Sequence, residues 1–195
     1  PLRLVGSEMC IRDSLMTLSC ILLALILDAF LGEPVWIWSK IPHPTVLMGR
    51  IIRWCELKYN NGINRKNKGI LFIASMVIFL AIFGYLIEKL PFSAIWKILI
   101  VAILLSHKSL TEHVTAVSLG LQKNLSQGRT AVAMIVGRDT ANLAETDIAR
   151  SAIESAAENF SDGIIAPLFW FLIGGLPGIL LSLIHISEPT RRRGI

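Results

Sequence analysis

Four long apolar stretches determine what this chain can fold into. They lie at residues 18–31, 69–87, 92–106 and 163–180. The mean hydropathy of the chain is +0.62, and 53% of its residues are hydrophobic, which exceeds the usual fraction in soluble proteins. Because a helix of about 20 apolar residues crosses the hydrocarbon core, the stretches predict an all-α, polytopic helical integral membrane protein with about four membrane segments.

The four stretches suit a membrane span to different degrees. The second is long enough by itself, whereas the first must continue past Asp28 and the third contains Lys97. The fourth is interrupted by Pro167 and Pro177. Two alternatives stay open: a soluble protein with buried core helices, and a signal peptide in the first stretch. The GEP sequence at 32–34 does not resemble the small-residue cleavage site of a signal peptide.

The two ends of the chain are encoded by a single inverted repeat. When the N-terminal peptide LVGSEMCIRDS is back-translated, the reverse complement of that DNA encodes LSLIHISEPT and the start of an arginine codon, which matches the C-terminal end. Translated sequencing adapter produces such a pair, and tails of this kind are excluded from fold reasoning. We therefore predict adapter-derived tails at 1–14 and 181–195 around a natural region at 15–180. The basic run at 191–193 consequently does not predict a nucleic-acid partner.

The distribution of Lys and Arg predicts the orientation of the spans. The basic residues that follow the first stretch are Lys40, Arg50, Arg53, Lys58, Arg65, Lys66 and Lys68. The short loop after the second stretch contains only Lys89. Cytoplasmic loops carry an excess of Lys and Arg, so the first loop is predicted to be cytoplasmic. The polar segment at 107–162 then also faces the cytoplasm, where ATP is present.

The polar segment is predicted to be a cytoplasmic helical region. Apolar residues at offsets 0, 4, 7, 11 and 15 form one helix face: Leu110, Val114, Val117, Leu121 and Leu125. We expect Gly128 to end this helix and residues 130–136 to form a short apolar helix. A turn at Gly137 then leads to another helix, with Asp139 or Thr140 as its N-cap. The sequence shows no strand pattern.

Acidic and amide side chains gather where the last polar helix meets the membrane. Glu154 and Glu158 lie on one predicted stripe of that helix. Asn159 and Asp162 continue the cluster up to Ile164, where the sequence becomes apolar. Hard oxygen ligands at the mouth of a span suit a divalent cation or a metal–phosphate complex. The competing interpretation is a solvated helix face, which is the usual meaning of charges at helical spacing.

Other polar residues have both a functional and a structural interpretation. Asp28 is either a functional group within the membrane or a helix end that reaches water. His43 is either a catalytic group or an ordinary loop residue, and His113 is either catalytic or an interface histidine. Arg138 and Asp139 either serve a site or form a local salt bridge in a turn. The sequence lacks the nucleotide and zinc signatures G-x-x-x-x-G-K-[ST], G-x-G-x-x-G and C-x-x-C.

Five motifs follow one another along the chain in a characteristic order. They are LDAFLGEP at 27–34, IPHPTVLMGR at 41–50, SLTEH at 109–113, MIVGRDT at 134–140 and AIESAAENFSDGIIAPLFW at 152–170. In identity, order and spacing they resemble the CobD/CbiB family of cobalamin biosynthesis, adenosylcobinamide-phosphate synthase. The last two motifs are highly specific, and the resemblance covers essentially all of 15–180. It implies the N-terminal part of a multi-pass protein of a bacterial or archaeal inner membrane.

The resemblance implies a ligase that forms a C–N bond in vitamin B12 synthesis. A propionate carboxylate of adenosylcobyric acid would be joined to (R)-1-aminopropan-2-ol or its O-phosphate, giving adenosylcobinamide or its phosphate. ATP would be the co-substrate, because a carboxylate acylates poorly until it is activated, for example as an acyl phosphate. Phosphoryl transfer of this kind calls for Mg²⁺ and a cationic clamp on the developing charge.

The chemistry of that reaction suggests catalytic roles for the candidate residues. We expect Glu154, Glu158 and Asp162 to bind Mg²⁺ directly or through water. Asn159 would orient one of the ligands. The proton of the attacking ammonium would pass to a histidine, because histidine titrates near neutral pH. The two candidates for this role are His43 and His113.

The remaining candidates would bind substrate or phosphate. Arg138 would hold a phosphate oxygen, Asp139 would fix Arg138 or assist the metal, and Arg50 is a second phosphate-binding candidate. Asp28 and Glu33 complete the predicted substrate-binding set. The predicted partners are the corrinoid, the amine donor, the lipid bilayer and other proteins of the corrinoid pathway.

Two other functional classes stay open. A membrane scaffold or transport component with an acidic site on its cytoplasmic face would use the carboxylates as an ion or substrate path. Such a path should place polar residues near the middle of the membrane. The acidic residues of this chain gather at one boundary instead, which favours an enzyme. A cytoplasmic helical binding module is the third class.

Overall fold

The computed structural model describes residues 2–32, 35–60, 64–137 and 139–186. Every regular element in these ranges is helical, which confirms the predicted all-α class. The elements are α1 (Leu2–Leu31), α2 (Val35–Trp38), α3 (Pro44–Tyr59), α4 (Arg65–Glu88), α5 (Ser93–Leu104), α6 (His107–Lys123), α7 (Leu125–Ala133), α8 (Glu145–Phe160), a π-helical turn called π1 (Ser161–Ile165) and α9 (Ala166–Ile186).

Within the described ranges, four helical segments are long and apolar enough to cross a membrane. They lie at Ser14–Leu31 in α1, Arg65–Glu88 in α4, Ser93–Lys123 across α5 and α6, and Glu145–Ile184 across α8, π1 and α9. Large apolar side chains such as Leu71, Phe79 and Ile173 are exposed on these segments. An exposed apolar surface of this extent suits contact with lipid rather than with water. The chain is therefore a helical membrane protein, as the sequence predicts.

The helices pack into two bodies. The membrane bundle consists of α1, α4, α5 and α9, and its buried core includes Ala24, Leu80, Val101 and Phe171. The three-helix unit consists of α6, α7 and α8, and its buried core is Val117, Val132, Ile148 and Ala152. Since α6 follows α5 directly and α8 continues through π1 into α9, the two bodies meet at the α5–α6 break and at π1.

The predicted end of α6 is wrong, and so are the bounds predicted for the next helix, because α7 spans Leu125–Ala133 and not residues 130–136. Asn124 is extended (φ −170°, ψ 162°), so α6 ends at Lys123 and not at Gly128. The side chain of Asn124 accepts a hydrogen bond from Gln127 N–H at 2.8 Å and thereby caps α7. Gly128 lies buried inside α7, where a Cβ atom would collide with Leu121 of α6. Gly128 therefore permits close packing of two helices instead of ending one.

The start of α8 also differs from the prediction. The helix begins at Glu145 with Ala144 at its N-cap, rather than after Asp139 or Thr140. The Asp139 Oδ1 atom accepts a hydrogen bond from Ala141 N–H at 3.0 Å, and the Thr140 hydroxyl donates to the carbonyl of Arg129 at 3.1 Å. Both side chains therefore shape the turn before α8.

α9 is a helical hairpin. Gly175 has φ 59° and ψ −143°, a conformation open to glycine and strained for other residues. A Cβ atom on Gly178 would collide with the carbonyl oxygen of Trp170, although residues eight apart in a continuous helix are separated by about 12 Å. The chain therefore reverses at Gly175 into two arms, residues 166–174 and 176–186.

Polar groups from α4 and α5 stabilise the tip of this hairpin. The N–H of Leu176 donates to Glu88 Oε1 at 3.1 Å, and Lys97 Nζ lies 3.5 Å from the same oxygen. Gly84 allows α4 to approach the backbone of Pro177. Lys97 is thus paired with a carboxylate, and a backbone N–H at the break is satisfied, as a break in apolar surroundings requires.

Candidate active site at the membrane boundary

The candidate site surrounds the break between α5 and α6. Leu105 leaves the helical conformation (φ −80°, ψ 143°), and α6 begins after Ser106. Three segments that are distant in sequence contact this break: the end of α1, the loop before α3, and π1. Since the SLTEH motif begins directly after Lys108, four of the five sequence motifs meet here.

Asp28 is buried and bonded to the first turn of α6. It is 3% exposed, and its Oδ2 atom accepts a hydrogen bond from Lys108 N–H at 3.2 Å. The Nζ atom of Lys108 donates to the carbonyl of Phe30 at 3.0 Å. A carboxylate at this position satisfies an N–H that the helix leaves free and interacts favourably with the helix dipole. Asp28 is therefore not a helix end that reaches water, and it ties α1 to α6.

His43 uses both of its ring nitrogens within the fold. Nε2 lies 3.1 Å from the carbonyl of Ile103 and must donate, because that carbonyl only accepts. In the neutral ring Nδ1 then accepts, from the hydroxyl of Thr45 at 2.7 Å and from its N–H at 3.4 Å. His43 is thus the N-cap of α3 and fastens that helix to the end of α5.

His113 engages one of its two ring nitrogens in a local hydrogen bond. Its Nδ1 atom lies 2.7 Å from the carbonyl of Ser109 and must donate a proton to it. In the neutral ring this tautomer leaves the lone pair on Nε2, to which no described residue donates. Of the two predicted proton acceptors, His113 is therefore the one with a ring lone pair that no described residue engages.

π1 brings Gly163 against the same break. Pro167 has no N–H for the carbonyl of Gly163, four residues earlier, and this carbonyl accepts a hydrogen bond from Ser106 N–H at 3.4 Å. A Cβ atom at position 163 would collide with Ser106 Oγ. Glycine at 163 and proline at 167 therefore allow a π turn to contact the α5–α6 break, and such turns are frequent at functional sites.

The predicted acidic cluster forms a row along α8 and π1. Glu154, Glu158 and Asp162 follow one another at four-residue spacing, about one turn each. The two glutamates are exposed and Asp162 is half-buried. Among the described residues, no group of three or more His, Cys, Asp or Glu is arranged to hold a metal ion. The binding of Mg²⁺ by this row therefore stays a prediction. In proteins this ion is usually held by one or two carboxylates together with water and phosphate.

Asn159 and Ser155 connect this row to the turn before α8. The Asn159 amide nitrogen donates to the carbonyl of Ser155 at 2.8 Å and approaches its hydroxyl at 3.2 Å. The Ser155 hydroxyl donates to the carbonyl of Ile135 at 2.8 Å. Because Ile135 belongs to the MIVGRDT motif, these bonds hold the fourth motif against the fifth. The amide oxygen of Asn159 takes no part in them and stays available as an acceptor.

The structure describes only some of the residues that were predicted to bind substrate or phosphate. Arg138 and Glu33 lie outside the described residues, so the predicted proximity of Arg138 to the acidic row stays a prediction. Asp139 is exposed, and one of its carboxylate oxygens is engaged in the turn. Arg50 is exposed on α3, the helix that His43 fastens to the α5–α6 break.

The sequence interpretation missed three residues that organise the site. They are Ser106, Lys108 and Ser155. The position of Ser106 at a helix start could have been predicted, because a serine directly between an apolar stretch and a polar helix is a typical N-cap. Lys108 and Ser155 act through contacts with residues 80 and 20 positions away, for which local spacing gives no signal.

Comparison with known proteins gives a consistent set of similarities. The family profile described as CobD/Cbib protein matches residues 21–184. The cobalamin biosynthesis protein CobD of Brucella anthropi is 47% identical over 178 residues, which cover 85% of this chain and 54% of the relative. The CobD protein of Halalkalibacterium halodurans is 39% identical over 174 residues, covering 86% of this chain and 52% of the relative. The chain thus spans about half the length of these curated relatives, and no solved structure matches it.

Proposed function

Because the chain belongs to the CobD/CbiB family, we propose that it is part of a cobalamin-biosynthetic enzyme that forms an amide bond at the expense of ATP. The acid substrate is a propionate side chain of adenosylcobyric acid. The amine is (R)-1-aminopropan-2-ol or its O-phosphate. The product is adenosylcobinamide or its phosphate.

The proposed reaction has two steps. The propionate oxygen attacks the γ-phosphorus of ATP, which breaks the bond to the ADP oxygen and leaves an acyl phosphate. The neutral amine then attacks the acyl carbon, phosphate departs with the C–O bond electrons, and the amine nitrogen loses a proton. Each step needs a closely held phosphate and a base near the amine.

The observation that carries the proposal is that three of the sequence motifs bond to the same α5–α6 break. Asp28 of the first motif bonds to Lys108, immediately before the third, and His43 of the second bonds to Ile103 of the same break. Gly163 of the fifth motif contacts Ser106. Residues that only packed separate helices would not need to meet around one polar break beside an acidic row.

We assign the phosphate chemistry to the acidic row and its neighbours. One or two carboxylates of this row, from Glu154, Glu158 and Asp162, would hold Mg²⁺ together with water and the ATP phosphates. Asn159 would orient one of these ligands through its amide oxygen. When bound, the ion supplies charge neutralisation at the transferred phosphoryl group.

The remaining roles belong to cations and to one histidine. Arg138 and Arg50 would bind phosphate oxygens, with Asp139 orienting Arg138. His113 would accept the amine proton at Nε2, whereas His43 holds α3 in place. The face that bears the motifs is assigned to the cytoplasm because the loop before α4 is rich in Lys and Arg.

The test is Glu158→Gln in a full-length relative that carries the same motif. We expect slower amide formation and a roughly 10- to 100-fold higher Mg²⁺ requirement, because a charged ligand becomes neutral. The matched control is Glu145→Gln, since Glu145 is exposed nine residues before Glu154 and therefore lies on the opposite side of α8. An unchanged rate and Mg²⁺ dependence in Glu158→Gln would remove this residue from the scheme. Corrinoid-dependent ATP hydrolysis separates an enzyme from a membrane scaffold.

A further inference from the structure

α3 is fastened at both ends to the same side of the membrane bundle. α4 and α5 are joined by the short turn at 89–92, so the start of α4 and the end of α5 lie on one side. The N-cap of α3, His43, bonds to Ile103 at the end of α5. Only residues 60–64 separate the other end of α3 from α4. A helix of 16 residues, about 24 Å long, must therefore run along this surface.

One face of α3 is apolar but does not pack into the core. Met48 and Cys55 face the membrane bundle and are buried. Leu47, Ile51 and Trp54 form a neighbouring row at spacings of four and three residues, and they are 48%, 40% and 55% exposed. An apolar row that is continuous with the buried face and still exposed is typical of a helix partly immersed in a bilayer surface.

Cations lie on the side of α3 beyond this row. Arg50 and Arg53 are exposed there. The Nζ atom of Lys58 lies 4.8 Å from the ring centroid of Trp54 and 5.4 Å from that of Tyr59. Aromatic rings at head-group depth, with lysine stems lying over apolar surface, are characteristic of membrane interfaces. Glu56 is the only acidic residue in the sequence between residues 40 and 68, whereas Lys and Arg are frequent there. This segment therefore carries a net positive charge.

We propose that α3 is a membrane-surface helix that binds anionic phospholipid head groups. The row of Leu47, Ile51 and Trp54 enters the leaflet on the side of the candidate site, while Arg53 and Lys58 contact lipid phosphates. Positive charge on the helix complements an anionic leaflet, and each cation near such a surface strengthens attachment. This inference does not depend on the proposed ligase reaction.

The immersion is tested with a fluorescent NBD label on the full chain in nanodiscs. Single cysteines are introduced by Ile51→Cys and, as a control in the exposed turn before α8, by Asn142→Cys, after Cys10, Cys20 and Cys55 are replaced by alanine. We expect the label at 51 to be quenched by lipids with a shallow spin label and protected from iodide in water. The label at 142 should behave in the opposite way. Equal iodide quenching at the two positions would overturn the proposal.

Head-group recognition is tested by raising the phosphatidylglycerol content of phosphatidylcholine nanodiscs. We expect the label at 51 to shift to the blue as phosphatidylglycerol increases. Arg53→Gln combined with Lys58→Gln should raise the mole fraction needed for a half-maximal shift by about tenfold. Lys123→Gln combined with Arg150→Gln removes the same charge from exposed positions of the three-helix unit and should leave that mole fraction unchanged. Head-group binding by α3 would be refuted if the blue shift did not depend on the phosphatidylglycerol content. It would also be refuted if both double variants raised the half-maximal mole fraction equally.

Discussion

A buried carboxylate is stable only where other groups replace the water that it has lost. Asp28 meets this condition because the N–H of Lys108 donates to it and the positive end of the α6 dipole lies beside it. The same contact joins the membrane bundle to the three-helix unit. A substitution at Asp28 should therefore affect the stability of both bodies.

We expect Asp28→Ala to lower the free energy of unfolding by about 2–3 kcal/mol, since it removes a charged acceptor from a buried donor. Asp28→Asn should cost clearly less, because its amide oxygen can still accept. Thermal unfolding in detergent, followed by far-UV circular dichroism, measures both. Asp147→Ala, at an exposed position of α8, is the matched control. Equal losses for the alanine and asparagine variants of Asp28 would contradict the capping role.

Cys55 provides a pH-dependent test of how α3 packs. Burial raises the pKa of its thiol above 9.0. The thiolate is the reactive form, so we expect Cys55 to react with maleimide more slowly in the folded chain than in the unfolded chain at about pH 8–9. The stability that this thiol contributes is present below about pH 9 and decreases as the pH rises through the folded pKa. Labelling rates in a variant with Cys10 and Cys20 replaced give the comparison, and equal rates would show that α3 does not bury Cys55.

At the scale of elements, π1 brings the fifth motif into contact with the α5–α6 break. Ser106 N–H donates to the carbonyl of Gly163, and the missing side chain of Gly163 leaves room for Ser106 Oγ. A methyl group at 163 would have to displace that hydroxyl. The two positions should therefore be energetically coupled.

We expect Gly163→Ala to destabilise the chain by about 1–3 kcal/mol through overpacking. In a Ser106→Ala background the same substitution should cost less, because a Cβ atom at 163 would be 3.6 Å from that of residue 106, an ordinary contact. A double-mutant cycle on thermal stability measures the coupling. Strict additivity would mean that π1 and the break do not touch in solution.

The elements themselves could largely be predicted from the sequence, but their ends could not. Apolar periodicity located the α6 face correctly, because Val117 is buried in the three-helix unit. It did not reveal that Asn124 ends the helix, since an asparagine cap competes with helix continuation through a local side-chain bond. A glycine after an apolar helix face indicates a helix end, but Gly128 instead lets α7 pack closely against α6. That role is a tertiary contact, which the local sequence does not show.

At the scale of the whole molecule, the site depends on contacts that no local pattern contains. The sequence identified Asp28, His43 and the acidic row as candidates. It could not distinguish the roles of His43 and His113, because these follow from which carbonyl each ring contacts. The hairpin at Gly175 was equally hidden, since GGLPG within an apolar stretch fits both a kinked span and a reversal.

The hairpin changes the expected path of the chain through the membrane. Its arms, residues 166–174 and 176–186, are about 13 and 16 Å long and run in opposite directions from Gly175. We therefore expect the chain after α9 to return to the side on which α8 lies. The tip would be held inside the bundle by Glu88 and Lys97, which agrees with the rule that irregular backbone at membrane depth must be covered by protein.

Reporter fusions to the full chain test this path. At the C-terminus a fluorescent protein should fluoresce and alkaline phosphatase should be inactive. Reporters inserted at Asn142 should give the same result. Reporters inserted at Lys89 should give the opposite result. Gly175→Ala combined with Pro177→Ala removes the residues that permit the reversal. It should extend residues 166–186 into one apolar helix of about 31 Å and move the C-terminal reporter to the side of Lys89. Alkaline phosphatase activity at the C-terminus of the unaltered chain would show instead that α9 crosses the membrane.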